Sequence, residues 1–278
     1  MGTLSARLGV VNVGDNDRVA IMGVINLDPN SFFMGSFHAT PKNAVSSAIK
    51  MIGERVDIID VGGASSAPGA PPVSVATEKK RIVKIIRRLA KDFDITISID
   101  TQHASVAQLA LEEGATIVND VSGLKRDPAM ASVIKDSGAS CVLMASKQRP
   151  GDCETIPHIL SALKESLQIA SETGISRRQI VVDPGIGFGK PVDCDLQIIT
   201  NLTALREVNQ PVLIGASRKN FVGEVLGYPL PKDRLYGSLA AVAVALREGV
   251  HVIRTHDVVP TQDCVKMVQA LYSVRGCD

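Results

Sequence analysis

The sequence predicts a (β/α)8 TIM barrel, an α/β fold, preceded by a short N-terminal β-hairpin. Eight short apolar runs alternate with amphipathic helical patterns along most of the chain. The length of 278 residues fits one such barrel, which typically needs about 250 residues. No linker or change of composition divides the chain, as a doubly wound sheet built from two halves would require. Residues 1–278 are therefore expected to form a single domain.

The predicted strands are rich in β-branched residues, as expected for parallel strands that are buried on both faces. Residues 8–13 and 18–25, joined by polar residues 14–17, predict the hairpin. Among the intervening helices, one is predicted to begin at Pro41, with Thr40 as its N-cap. The last helix is predicted to bury Cys264, Val268 and Leu271. The barrel strands are predicted at residues 19–25, 57–61, 94–99, 115–118, 140–144, 179–182, 211–214 and 250–254.

Composition and charge restrict the class of protein. With 30 basic and 29 acidic residues the net charge is +1, which argues against a general affinity for nucleic acid or for anionic membranes. The basic helix at residues 79–91 is therefore interpreted as a solvated outer face. The five cysteines include no C-x-x-C pair, and no apolar run is long enough to span a bilayer. A soluble, cytoplasmic protein is expected.

Polar residues follow most of the predicted strands. In this fold the loops at the carboxyl ends of the strands form the active site, so these side chains are expected to converge there. One or two such residues are explained by helix capping, but polar residues at most strand ends indicate a functional site. The residues at these ends are Asn26, Gly62, Gly63, Asp100, Asn119, Met144, Asp183, Ser217, Arg218, Lys219, Arg254 and His256.

The types of these residues suggest a ligand. Asp100, Asn119 and Asp183 offer acceptors that suit the NH and amino groups of a flat heterocycle, such as a pterin or a purine. The cationic segments 217–219 and 254–256 follow the seventh and eighth strands, where barrels commonly bind phosphate. Asn26 supplies a neutral oxygen that suits Mg²⁺ when the ion keeps phosphate and water ligands. A heterocycle that carries phosphate or pyrophosphate is the expected ligand.

A glycine-rich turn follows Asp183. Gly185, Gly187 and Gly189 permit backbone conformations and close approaches that other residues resist. The alternative is an ordinary strand-to-helix turn that Asp183 caps. The turn is not a dinucleotide fingerprint, because Lys190 stands where a third glycine would be needed.

Seven ordered segments resemble the signatures of the dihydropteroate synthase family. Among them are Asp-Pro-Gly-Ile-Gly-Phe-Gly-Lys at residues 183–190 and Gly-Ala-Ser-Arg-Lys at residues 215–219. The other five are residues 21–32, 58–63, 97–101, 118–123 and 254–256. The resemblance covers nearly the whole chain. It implies a transferase of folate biosynthesis that condenses a dihydropterin-CH₂-pyrophosphate with 4-aminobenzoate and releases pyrophosphate.

The resemblance also implies roles for individual residues. Asp100, Asn119, Asp183 and Lys219 would hold the pterin, and Phe188 and Gly189 would line the pocket beside the aryl amine. Asn26 would ligate Mg²⁺ together with the pyrophosphate. Ser217, Arg254 and His256 would form the anion site. Asp100 would stabilise a pterin cation, while Lys219 and Arg254 offset charge on the leaving group, so these three are the predicted catalytic residues. The family is usually homodimeric.

The chain departs from the family pattern in three loops. Gly-Gly-Glu-Ser-Thr-Arg-Pro-Gly is replaced by Gly-Gly-Ala-Ser-Ser-Ala-Pro-Gly at residues 62–69, so that Ala64 replaces a glutamate and Ala67 an arginine. The loop after the first strand begins at Asp28 instead of threonine, and Ala145 replaces a histidine after the fifth strand. The side of the site facing the aryl amine has therefore lost charge and volume.

These departures leave alternatives open. One is the same condensation with a larger amine, ribofuranosylaminobenzene phosphate of methanopterin-type pathways, whose phosphate would meet Lys147 and Arg149. Another is a paralogue that binds pterin without catalysis. A pterin-dependent methyltransferase on the same barrel is disfavoured, because methyl transfer needs no pyrophosphate pocket.

Overall fold

A computed structural model describes residues 2–28, 41–65 and 69–273. A two-stranded antiparallel hairpin, β1 (Ser5–Leu8) and β2 (Val11–Gly14), precedes eight parallel strands. These eight are β3 (Ala20–Asn26), β4 (Ile58–Gly62), β5 (Thr96–Asp100), β6 (Ile117–Asp120), β7 (Ser140–Met144), β8 (Ile180–Asp183), β9 (Leu213–Ile214) and β10 (Val252–Thr255).

The eight strands form a nearly closed barrel. Their order is β8-β7-β6-β5-β4-β3-β10-β9, so each strand lies beside its neighbours in sequence. A parallel bridge between Val182 and Val212 joins the two ends, and the Val182 amide donates to the Pro211 carbonyl at 3.0 Å. The predicted TIM barrel with an N-terminal hairpin is confirmed, and the strand boundaries agree with the predicted ones to within a few residues.

Helices surround the barrel, as the alternating sequence pattern predicts. Several ends carry sequence-encoded caps: the Ser74 hydroxyl accepts from the Thr77 amide, and the Thr155 hydroxyl from the His158 amide. In the described residues the α-helices are α1 (Pro41–Gly53), α2 (Val75–Asp92), α3 (Ala104–Glu112), α4 (Met130–Ser137), α5 (Ile156–Thr173), α6 (Val192–Thr200), α7 (Asn220–Leu226), α8 (Leu235–Arg247) and α9 (Val258–Ser273). None of these helices is long and apolar enough to cross a bilayer.

Two buried apolar layers hold the architecture together. The larger one lies between the strands and the helices, and includes Ile59, Ile85 and Val182. The smaller one fills the lower barrel interior, where Met22 and Ile117 pack with Leu8 of the hairpin, which is fully buried. The hairpin thus closes the end of the barrel opposite the carboxyl ends of the strands.

Two predictions about element boundaries were wrong. The hairpin turn lies at Gly9, which has φ +57°, and the predicted second hairpin strand is instead barrel strand β3. Helix α9 buries Val258, Thr261 and Val265, whereas Leu271 is 59% exposed. The predicted N-cap Thr40 lies outside the described residues.

Candidate active site

Strand register places four predicted positions in one row at the mouth of the barrel. Asn26 pairs with Gly62, Gly62 with Asp100, and Asp100 with Asn119 across β3 to β6. A Cβ atom at Gly62 would lie 3.3 Å from Asn26 Oδ1, a tight contact, and 3.7 Å from Asp100 Cβ, so glycine at this position leaves room between the two side chains. The structure therefore brings Asn26, Asp100 and Asn119 together, as the strand-end argument predicts.

Arg254 lies between two buried carboxylates at the centre of the site. Its Nε donates to Asp60 Oδ2 at 2.7 Å, and its Nη2 donates to Asp100 Oδ2 at 2.9 Å. Asp60 is fully buried and its Oδ2 also accepts from Asn119 Nδ2 at 3.2 Å. Within the described part of the chain, Arg254 Nη1 makes no hydrogen bond, so one nitrogen of the guanidinium remains for a ligand.

Asp60 is the main site residue that the sequence reasoning missed. It lies two residues before the end of β4, and only the register of the barrel shows that it reaches Arg254 and Asn119. The Asp60 Oδ1 atom has no hydrogen-bond partner among the described residues, and neither has Ser98 Oγ, whose residue is its register neighbour on β5. An aspartate inside an apolar strand was the available signal, because a buried carboxylate requires a partner.

Burial shifts the pKa values of the central groups toward neutrality. Burial raises the pKa of Asp100 to about 7, although the nearby Arg254 opposes this shift. Burial, reinforced by the charge of Arg254, lowers the pKa of Lys219 to about 8. Burial also raises the pKa of Asp183. Perturbed carboxyl and ammonium groups in a concave site are typical of ligand-binding and catalytic residues.

The glycine-rich turn after β8 accommodates Lys219. Gly185, Gly187 and Gly189 all have positive φ, as predicted. A Cβ atom at Gly187 would lie 2.6 Å from Lys219 Cδ, so the close approach that the glycine permits is to this side chain. Lys219 Nζ lies 4.1 Å from the centroid of the Phe188 ring. Phe188 in turn packs with Val121 and Met144 in a small buried apolar cluster.

Asp183 both shapes this turn and faces the site. Its Oδ1 accepts from the Gly185 amide at 2.7 Å. One of the two carboxylate oxygens therefore caps the turn, as the alternative interpretation predicts. Its Oδ2 makes no hydrogen bond with the residues that the structure describes. Lys190 donates to the Gly185 carbonyl and fixes the turn from the other side.

The loops after β9 and β10 meet as predicted, with one exception. The Ser217 hydroxyl lies 3.0 Å from His256 Nδ1 and accepts from the His256 amide at 3.2 Å. Burial and the nearby cation Arg254 lower the pKa of His256 to about 3, which keeps the imidazole neutral. Arg218 does not join the predicted anion site, because its guanidinium makes two bonds to Asp257, at 2.8 and 2.6 Å, and further bonds to backbone carbonyls.

An open cleft of about 610 Å³ adjoins this centre. Asp100, Phe188 and Gly189 line its inner end, and Ala64 lines one wall. Asp28, the first divergent residue of the loop after β3, is buried, where it accepts from the Ser65 amide at 2.9 Å and lies 3.3 Å from Arg81. Arg81 of the basic helix is therefore half-buried at the mouth of the barrel, whereas Lys80, Lys84, Arg87, Arg88 and Lys91 are exposed on the predicted solvated face. Ala67 lies outside the described residues.

The oxygen donors at this mouth limit how a metal ion can be held. In the described ranges no group of three His, Cys, Asp or Glu side chains is arranged to hold a metal ion. Asn26 contributes one neutral oxygen at the end of the row of strand ends. Mg²⁺ commonly takes few protein ligands and keeps phosphate oxygens and water. This donor set therefore fits Mg²⁺ that a phosphorylated ligand helps to hold.

The fold and the polar site define a class of protein, the pterin-binding enzymes. The family model described as "Pterin binding enzyme" matches residues 22–256. This range includes every strand of the barrel except the first two residues of β3, and it includes the polar residues at the strand ends, from Asn26 to His256.

Comparison with individual proteins gives the particular family. The chain is 37% identical to dihydropteroate synthase of Bacillus subtilis over 94% of this chain and 91% of that one, and 33% identical to the Escherichia coli K12 enzyme over 92% of each. A dihydropteroate synthase structure from Clostridium difficile with pteroic acid superposes with a TM-score of 0.85, at 37% identity, over 92% of this chain and 97% of that one. A Xanthomonas albilineans structure with 4-aminobenzoic acid gives 0.87, at 33% identity, over 98% and 99%. The chain belongs to the dihydropteroate synthase family, and the prediction of a transferase of this type is confirmed.

Proposed function

We propose that this protein condenses a dihydropterin-CH₂-pyrophosphate with an aryl amine, 4-aminobenzoate or a derivative of it, to give a dihydropteroate and pyrophosphate. The observation that carries the proposal is the arrangement around Arg254: two buried carboxylates hold the guanidinium, and one nitrogen remains for an anion. A heterocycle that becomes cationic as its pyrophosphate departs matches this arrangement of charges.

The pterin binds against the apolar cluster of Val121, Met144 and Phe188, which offers a flat surface. Asp183 Oδ2 and Asn119 Oδ1 accept from the amino and NH groups of the ring. Lys219, held over Phe188, donates to the ring carbonyl. This orientation follows from hydrogen-bond chemistry, because the ring edge that carries NH groups needs acceptors and the carbonyl needs a donor.

The pyrophosphate binds at the opposite side of the mouth. Arg254 Nη1 donates to it, and the Ser217 hydroxyl and the neutral His256 contribute uncharged hydrogen bonds. Asn26 would contribute an oxygen ligand to Mg²⁺ bound with the pyrophosphate. When bound, the ion supplies positive charge that offsets the charge of the leaving group.

The protein's own residues then promote cleavage of the C–O bond. Departure of pyrophosphate leaves a cation delocalised over the pterin, and the carboxylate of Asp100 stabilises this cation. Arg254 lies between the two developing charges, since it contacts Asp100 and presents Nη1 to the leaving group. The aryl amine, placed in the cleft beside Phe188, attacks the methylene carbon and loses a proton to solvent. No covalent enzyme intermediate is required.

A pyrophosphate-release assay tests this function. Wild-type enzyme with the pterin substrate and 4-aminobenzoate is expected to release pyrophosphate, and Asp183→Ala is expected to lower kcat/KM by about 100-fold, because a charged hydrogen bond is lost. Asp136→Ala, an exposed aspartate on α4, serves as the matched control. A chain that binds pterin without releasing pyrophosphate with any aryl amine would instead be a non-catalytic paralogue.

Assembly and location belong to the same proposal. Most of the large exposed apolar side chains of the described residues lie on α7, α8 and α9, among them Tyr236 at 81% and Met267 at 59% exposure. Such a patch supports a homodimer interface, with each barrel acting as a single domain. The four cysteines in the described ranges are free thiols, which supports a reducing cytoplasm.

A further inference from the structure

Three basic side chains on successive loops line the cleft. His103 follows β5, Arg126 follows β6 and Arg149 follows β7, and we call these three residues the basic rim. The cleft is continuous from the basic rim to Asp100, Phe188 and Gly189. A molecule bound beside Phe188 can therefore extend to the basic rim without crossing a wall.

His103 is held in one orientation by a buried carboxylate. Glu78 is 1% exposed, and it accepts from the Thr101 hydroxyl at 2.6 Å and lies 2.8 Å from His103 Nδ1. The imidazole therefore carries hydrogen on Nδ1, and Nε2 makes no hydrogen bond with the described residues. An Nε2 atom held in this way can accept a hydrogen bond from a ligand in the cleft.

The two arginines stand on loops whose backbones are fixed. The carboxylate of Asp152 accepts from the amides of residues 147–149, at 2.9, 2.8 and 3.2 Å. The same loop presses against the aryl-amine side of the site, since a Cβ atom at Gly151 would lie 1.8 Å from the Phe188 carbonyl oxygen. The Arg126 amide is tied to Ser122, and its guanidinium makes one long contact of 3.4 Å with Gln102.

Among the described residues, neither arginine of the basic rim forms an ion pair with the acidic groups that line the cleft. Glu78 is engaged by Thr101 and His103, Asp100 by Arg254, and Asp152 by three amides. Glu154, which is exposed, is the remaining acidic side chain of the lining. The described lining also includes the uncharged residues Ala64, Ser65, Gly69, Ala70, Pro71, Pro72 and Val73. The guanidinium groups of Arg126 and Arg149 are therefore available to an anionic group of a ligand in the cleft.

From this arrangement we infer that the basic rim is a binding subsite for an acidic extension of the aryl amine. The preferred amine carries, opposite its amino group, a chain that ends in a phosphate or in carboxylates. Arginine pairs suit both groups, because the guanidinium donates two parallel hydrogen bonds to phosphate or carboxylate oxygens. Lys147 lies aside from the cleft and lines a smaller cavity of about 190 Å³ that Arg126 and Arg149 also border.

The inference rests on the proposed condensation, and pyrophosphate release is therefore measured with four amines. These are 4-aminobenzoate, 4-aminobenzoylglutamate, an aminobenzyl phosphate and a neutral N-alkyl 4-aminobenzamide of similar length. The acidic, extended amines are expected to have KM values lower than the neutral amide by at least about tenfold, because each charged hydrogen bond contributes about that factor. Their KM values should also rise with ionic strength.

Removing the charges of the basic rim tests whether the rim, and not the rest of the site, binds the acidic extension. The double variant Arg126→Gln with Arg149→Gln is expected to raise KM for the acidic extended amines by about tenfold or more and to leave the neutral amide unchanged. Arg178→Gln, an exposed arginine at the other end of the barrel, is the control. If only the aminobenzyl phosphate or only 4-aminobenzoylglutamate has a lower KM than the neutral amide, that result identifies the acid that the basic rim prefers.

The outcomes distinguish the two proposals. Turnover of 4-aminobenzoate with equal KM values for acidic and neutral extended amines overturns the subsite and leaves the condensation standing. An unchanged KM in the double variant does the same. Absence of pyrophosphate release with all four amines overturns both.

Discussion

At the scale of single residues, the buried carboxylate of Asp60 decides where Arg254 lies. Asp60 holds both Arg254 and Asn119 through one oxygen, although it is too deep to lie at a strand end. Arg254 would otherwise be free to pair with Asp100 alone. We therefore expect Asp60 to position two ligand-binding groups at once.

Asp60→Asn tests this positioning role. The amide keeps the shape but removes the charge, so KM for the pterin pyrophosphate should rise and kcat/KM should fall by about 10- to 100-fold. Pyrophosphate release and thermal unfolding are measured together, with Asp136→Asn as control. A kcat/KM equal to that of the control would contradict the role.

The shifted pKa values of Asp100 and Lys219 predict a narrow pH profile. Asp100 is protonated below pH 7 and then cannot stabilise a cation, while Lys219 loses its charge above pH 8. The kcat/KM of the free enzyme should therefore fall on both sides of an optimum between these values. In Asp100→Asn the activity should be lower and the acidic limb should disappear. An acidic limb that persists in this variant would assign it to another group.

At the scale of elements, the glycine turn after β8 positions a side chain from the loop after the neighbouring strand β9. The sequence pattern indicates that these glycines admit a close neighbour, but the neighbour is Lys219 from the loop after β9. The turn thereby fixes the ammonium group over the Phe188 ring.

Gly187→Ala and Gly138→Ala form a matched pair for this element. Both glycines have positive φ, +74° and +70°, so alanine costs about 1–2 kcal/mol of backbone strain at each. A Cβ at Gly187 meets Lys219, whereas at Gly138 nothing lies within 4 Å. Gly187→Ala should lose at least as much stability in urea unfolding as Gly138→Ala, and kcat/KM should fall about tenfold or more only for Gly187→Ala. Equal activity of the two variants would contradict a positioning role for the turn.

At the scale of the whole molecule, the exposed apolar patch on α7 to α9 predicts self-association. A stable dimer buries about 800 Å² per partner, and a central charge is costly in such an interface. Tyr236→Glu should therefore convert the dimer to a monomer in sedimentation velocity. Val10→Glu, which alters an apolar residue that is 72% exposed on the hairpin, should not. A wild-type monomer would refute the proposed interface.

The type and order of most elements of the fold could be predicted from the local pattern of apolar residues. Buried parallel strands appear as short β-branched runs, and helices as apolar residues at helical spacing, so element type depends mainly on neighbours in sequence. The predicted hairpin was wrong because residues 8–25 contain alternating apolar positions that suit several registers. The predicted buried face of α9 was wrong because Leu271, which local pattern predicts to be buried, is exposed. Which apolar face packs inward depends on what lies across from it.

The sequence by itself determined the family, the barrel and the positions of Asn26, Asp100, Asn119, Asp183, Lys219 and Arg254 at strand ends, because parallel strands bring their carboxyl ends to one edge. Tertiary structure alone decided which of them touch. Strand register places Asp60 in contact with Arg254. Packing of the loops pairs Arg218 with Asp257 and places His103, Arg126 and Arg149 in the lining of one cleft. Contacts between residues far apart in the chain depend on strand register and loop packing, which no local pattern encodes.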